Sequence, residues 1–291
     1  MSTAEGPAPG LPVRMPRPRQ PGRHRRPEPL TTPEGAPALV LAVPGTPSSA
    51  IRSLAEEIVS IARIELSGLD PRIGYVDGDG EEYPTLESVV AQAAAERGDQ
   101  APAAVVVPLL AGPEPSVMRR IRQAVADSRS AAEVTDVLGP HPLLAEALHV
   151  RLSEAGLARA DRARLFTVAT AADGIILATV GGEEAVQAAG VTGLLLAARL
   201  AVPVLAAALD IEGSVAQTAE QLRSSGSTTL ALAPYVVGPE VAPEVLHDAA
   251  KEADCSAADA LGPYPTIGKL VVSTYTTALG IAQSSQGAPL S

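Results

Sequence analysis

From Ala38 onward the chain alternates between short runs that are almost wholly apolar and longer stretches in which apolar residues recur every three or four positions. A run that is apolar at every position suits a strand buried on both faces, and the wider spacing is one face of a helix. The pattern predicts strands at Leu39–Val43, Arg72–Val76, Val105–Val107 and Val134–Leu138. It predicts helices from about Ser49, with Ile51, Leu54, Ile58 and Ile61 on one face, and from Leu86, with Val89 and Val90. A further helix is striped by Val117, Ile121 and Val125, and another lies around Leu144–Leu152. Strands alternating with helices imply a parallel sheet covered by helices.

The order then recurs. Leu39 to Gly45 is matched by Ile175 to Gly181, Pro108-Leu-Leu-Ala-Gly-Pro-Glu114 by Pro234-Tyr-Val-Val-Gly-Pro-Glu240, and Leu138-Gly-Pro-His-Pro142 by Leu261-Gly-Pro-Tyr-Pro265. Three matches in the same order predict an internal duplication. The expected architecture is two tandem flavodoxin-like, three-layer α/β domains with parallel sheets, at residues 37–160 and 161–291. All three motifs follow strands, and open parallel sheets bind ligands beyond the carboxyl ends of their strands. Two such halves related by a pseudo-twofold would face each other across a cleft, which leaves a monomer self-sufficient. Residues 1–36 are dense in proline and glycine with few large apolar side chains. They cannot offset the entropy of ordering and are expected to be a disordered Pro/Arg-rich tail.

Composition narrows the partners. Of the 291 residues 46% are hydrophobic, with no Trp, one Phe and five Tyr, so the core is built from Ala, Val, Leu and Ile. The formal net charge is −11, and the tail holds Arg14, Arg17, Arg19, Arg23, Arg25 and Arg26 against Glu5, Glu28 and Glu34. The body is therefore more acidic than the whole and repels phosphate backbones, and with few aromatic faces for bases to stack on, nucleic acid is not an expected partner. One cysteine, Cys255, permits neither an internal disulfide nor a cysteine metal cluster, and no basic residue near it in sequence marks a catalytic thiol. The N-terminus has no apolar stretch behind its positive charge, and the most apolar window, Val191 to Leu209, is interrupted by Arg199 and Pro203. The expectation is a cytoplasmic protein without a membrane span.

Three segments resemble one family. The strand-then-glycine start Leu39–Gly45, the Pro-Leu-Leu-Ala-Gly segment Pro108–Gly112 and the run Leu138–Leu144 are similar to the class II (CbiX-like) chelatases. These sirohydrochlorin chelatases are lyases that insert iron or cobalt into a tetrapyrrole, and the resemblance covers Ala38 to Ile281. It implies a tetrapyrrole ligand, with Fe2+ or Co2+ as substrate and no resident cofactor. The family works with two histidines. In place of its His-Gly-Ser this chain has Pro44-Gly45-Thr46 and Val180-Gly181-Gly182, and in place of its Gly-x-His it has Gly112-Pro113-Glu114 and Gly238-Pro239-Glu240.

Pro44 and Val180 have no lone pair to offer a metal, but a carboxylate does, and it stands in both halves. Glu114 and Glu240 are the candidate catalytic residues, either as oxygen donors or as bases for the pyrrole N–H protons. Carboxylates suit hard ions better than the iron and cobalt that imidazole suits. Glu114 also precedes Pro115 and Ser116 at a helix start, where backbone N–H groups favour a charged cap. With His141 the two glutamates form the candidate metal set. Gly45, Thr46, Gly112, Gly181, Gly238, His141, Tyr264 and Arg119 are the candidate ligand-binding positions, Arg119 because a guanidinium fork suits ring carboxylates. The competing reading keeps the scaffold and drops catalysis, leaving a carrier, sensor or regulatory partner. Asp77-Gly-Asp-Gly-Glu-Glu lacks calcium-loop spacing and reads as an acidic turn.

Overall fold

A computed structural model describes residues 30–98, 100–158, 171–238 and 240–281. The first half runs β1 (Leu30–Thr31), β2 (Ala38–Val43), α1 (Ser49–Glu65), β3 (Leu66–Ser67), β4 (Pro71–Tyr75), α2 (Leu86–Arg97), β5 (Ala104–Pro108), α3 (Pro115–Asp127), β6 (Glu133–Val134) and α4 (Pro142–Glu154). The second half runs β7 (Gly174–Thr179), α5 (Gly182–Leu200), β8 (Val204–Ala208), α6 (Ser214–Ser224), β9 (Leu230–Pro234), α7 (Pro243–Glu252), β10 (Ser256–Ala257) and α8 (Pro265–Ala278). The four-stranded sheets have orders β4-β2-β5-β6 and β10-β9-β7-β8 with every pair parallel. Numbered within each half, both orders are the same doubly wound one, and both place the loops after β2 and β5, or β7 and β9, side by side.

Side-chain alternation sorts each strand between two cores. Leu39, Leu41 and Val43 point to a central cluster that also holds Ile175, Leu177 and Tyr235, whereas Val40 and Ala42 pack outward with α2 and α3 residues such as Val90 and Ile121. In the second half Ile176 and Ala178 pack outward with Val215 and Leu222 of α6. Helices α1, α4, α5 and α8 lie between the sheets, and the last helix of each half crosses over. α4 packs on α5 and β9 of the second half, and α8 packs on α1 and β5 of the first. Tyr275 of α8 donates its hydroxyl to the Pro37 carbonyl just before β2, at 2.5 Å. Each half is thus completed by the other's final helix, so the sequence units at residues 37–160 and 161–291 are not separate packing units.

Two local expectations are corrected. The fourth strand is only Glu133–Val134, because the chain then follows β5 through scattered bonds such as Thr135 N–H to the Val106 carbonyl and Leu138 N–H to the Leu110 carbonyl. The proposed tail lies outside the described residues as far as residue 29, but Leu30–Thr31 pair in parallel with Leu66–Ser67, and the Thr32 hydroxyl donates to the Ser67 carbonyl. The strand left open after α1 supplies the backbone partners that the tail's composition does not.

Candidate functional site

The loops that follow β2, β5, β7 and β9 meet at the centre of the molecule, and the glycines show how closely. A Cβ on Gly112 would stand 3.2 Å from the Tyr235 ring, and one on Gly181 (φ +111) would stand 2.3 Å from the Pro113 carbonyl oxygen. Backbone from one half therefore touches backbone from the other. Tyr235 is 1% exposed, its hydroxyl is 3.0 Å from Thr192 Oγ1, and burial pushes its pKa up to about 12. It fills the middle, and two pockets lie between loops and helices of the two halves.

The first pocket, of about 1030 Å³, is walled by Thr46 and Leu54 of the first half and by Glu240, His247 and Asp259 of the second, with Arg151 reaching in from α4. Gly45 and Gly238 line it as well. Arg151 donates from Nε to the Leu261 carbonyl at 3.2 Å and lays its guanidinium 4.5 Å over the Tyr264 ring. That contact fixes Tyr264, at the start of α8, beside the pocket. The second pocket, of about 770 Å³, lies among Arg119 and Arg122 of α3, the loop Asp136–Pro140, and Glu184 of α5.

The two glutamates that are equivalent in sequence are not equivalent in structure. Glu114 is the N-cap of α3, and its carboxylate accepts from Val117 N–H at 2.7 Å, Ser116 N–H at 3.2 Å and Ser116 Oγ at 2.8 Å. In the second half two further residues, Val241 and Ala242, precede the helical proline, so Ala242 is the N-cap and Glu240 stays in the loop. There its carboxylate turns back on its own strand end, accepting from Val237 N–H at 2.7 Å and Gly238 N–H at 3.0 Å. Burial raises its pKa to about 7 despite those bonds. Glu114→Ala should lower stability by about 1 kcal/mol, read as a shift in the urea midpoint, since it removes only a helix cap.

His141 is the N-cap of α4, and its Nδ1 accepts from Leu143 N–H at 3.1 Å. Burial lowers its pKa, which keeps the ring neutral and able to accept that bond. Among the described residues no three His, Cys, Asp or Glu side chains are grouped to hold a metal. The expected set of Glu114, Glu240 and His141 is thus not assembled, and two of the three instead accept hydrogen bonds at their own helix starts. Gly181 does not open a free helix terminus either. Asp210 accepts from Gly181 N–H and Gly182 N–H at 3.0 Å, filling the anion position at the start of α5.

Asp210, Arg151, His247 and Asp259 were not singled out by sequence reasoning. For His247 and Asp259 a signal existed: they sit at the positions that correspond to Arg119 and Asp136 in the duplicated order. Arg151 pairs locally with Glu154 at 3.3 Å, but its contacts at the pocket, Leu261 and Tyr264, lie more than a hundred positions away, so local pattern gives no hint of its place there. Among the described residues no helix is long and apolar enough to cross a membrane.

Residues 38–155 match the CbiX family model. No curated protein matches the chain in sequence. Among solved structures, the sirohydrochlorin chelatase SirB from Bacillus subtilis subspecies spizizenii, in complex with cobalt, superposes with a TM-score of 0.59 at 13% identity, over 84% of this chain and 96% of that one. CbiX, the terminal enzyme for biosynthesis of siroheme in denitrifying bacteria, gives 0.53 at 15% identity, over 83% and 99%. A multi-domain protein from Deinococcus radiodurans with structural similarity to chelatases gives 0.54 at 16% identity, over 82% and 54%. At such identities the likeness is one of fold.

Proposed function

We propose, from the match of residues 38–155 to the CbiX family model, that the protein binds a sirohydrochlorin-type tetrapyrrole in its first pocket and promotes insertion of Fe2+ or Co2+ there. The observation that carries this reading is Glu240, a carboxyl on the wall of a pocket of about 1030 Å³ with its pKa raised to about 7. Insertion exchanges two pyrrole N–H protons for one divalent ion. A carboxylate poised near neutrality can take one of those protons, and water takes the other. Arg151 and His247 on the same wall supply donors for ring carboxylates. With Pro44 and Val180 where the family places an imidazole, the metal would come to the ring with little help from the protein, so turnover should be slow. Glu114, committed to its helix, takes no part.

A second reading has its own observation. Both oxygens of Glu240 already accept backbone N–H bonds, so the residue could serve only to shape the loop, leaving a protein that holds the ring without metallating it.

The test mixes purified protein with sirohydrochlorin and Co2+ and follows the absorbance change. The expected result is acceleration over the spontaneous rate that grows as pH rises through about 7, because only the deprotonated carboxylate accepts a proton. Glu240→Gln should lower the accelerated rate about a hundredfold and flatten that pH profile, with ring binding retained. Binding without acceleration establishes the holding role instead, and no binding retires both readings.

A further inference from the structure

The second pocket repeats part of the first, with the halves exchanged. Counted from the proline that opens each helix, Met118 and Arg119 of α3 stand where Leu246 and His247 stand on α7. In the loop ahead of α4, Asp136, Gly139 and Pro140 stand where Asp259, Gly262 and Pro263 stand ahead of α8. The opposite wall is α5, through Glu184 and Ala188, as it is α1, through Ala50 and Leu54, in the first pocket.

Each pocket also mixes basic and acidic side chains, with His247 and Asp259 of the first at the positions of Arg119 and Asp136 in the second. Arg151 and His247 face Glu240 and Asp259 in the first pocket, and Arg119 and Arg122 share the second with Asp136 and Glu184. Arg119 and Arg122 are three residues apart on one side of α3 and have no hydrogen-bond or ion-pair partner among the described residues, whereas Arg120 on the other side is paired with Asp77. In a chain of net charge −11, two unpaired guanidinium groups over a floor of Met118, Val137 and Pro140 form an anion site backed by apolar surface.

We propose that the second pocket is a further binding site for the same class of ligand, a tetrapyrrole-type acid with carboxylates around a centre of N–H groups, so that one chain holds two rings. Arg119 and Arg122 take carboxylates, and Asp136 and Glu184 face the N–H groups. The inference rests on the tetrapyrrole reading above, and the two are separated by stoichiometry.

The experiment titrates the full chain with metal-free sirohydrochlorin by calorimetry. Two rings per chain are expected. Ala188→Trp, which fills the second pocket, should leave one, and Ala50→Trp, which fills the first, should also leave one. Arg119→Ala combined with Arg122→Ala should weaken the second site about tenfold without changing the thermal midpoint, and it reports on the site even if a tryptophan variant does not fold. One ring in the parent chain, unaltered by Ala188→Trp or by the arginine pair, overturns the second site and leaves the function standing. No ring bound overturns both.

Discussion

Gly139→Ala should cost about 3 kcal/mol or more and leave little folded protein at moderate urea. Its new Cβ would stand 2.2 Å from the Tyr235 hydroxyl, 2.5 Å from the Ala111 carbonyl oxygen and 2.6 Å from Leu144 Cδ1. The three neighbours belong to both halves of the molecule. A side-chain tip can swing away, but the Ala111 carbonyl is part of the loop after β5 and Leu144 is fully buried, so relief requires the loops to part. A control separates this from the general effect of losing a glycine. Gly190 lies within α5 with nothing near its would-be Cβ, and Gly190→Ala should leave stability level or raise it by under about 1 kcal/mol. Urea midpoints of the two variants check the contrast, and equal midpoints would show that the halves do not meet at Gly139.

Most of the scaffold was legible because parallel strands covered on both faces must be apolar throughout. Leu39–Val43 and Val105–Val107 announce themselves, and helix starts carry their own chemistry, as with Ser48, whose hydroxyl accepts from Ile51 N–H at 3.3 Å. Both sheets also have the same strand order, as two like halves would. What pattern did not convey is which sheet a helix covers. The apolar faces of α4 and α8 would suit either sheet, and the structure places α4 on α5 and β9 and α8 on α1 and β5.

The candidate site was less legible for a related reason. Two copies of Gly-Pro-Glu look interchangeable, yet two additional residues before Pro243 move the helix start away from Glu240. One glutamate thereby becomes a cap on exposed N–H groups, and the other a half-buried carboxyl whose desolvation raises its pKa to about 7. Motif identity fixes the residue type, while the distance to the next helix fixes what surrounds it, and the surroundings set the chemistry.

Tyr235→Ala should lower stability by about 3–5 kcal/mol, as expected for a large buried ring, and do so in one transition rather than two. The ring packs against Gly112, the hydroxyl reaches Thr192, and the same oxygen stands over Gly139, so contacts from α5 and from two loops of the first half end on this side chain. Because α4 and α8 each complete the opposite sheet, the halves cannot come apart without exposing both central faces, and the loss should be felt by the whole molecule at once. Tyr235→Phe keeps the ring and removes only the hydroxyl. It should cost about 1–2 kcal/mol, since the buried Thr192 hydroxyl loses its partner. Circular dichroism and a probe placed in either half would follow both variants. A single lowered transition is what the exchange of α4 and α8 requires, whereas a second transition in the alanine variant would mean that Tyr235 is what couples the halves.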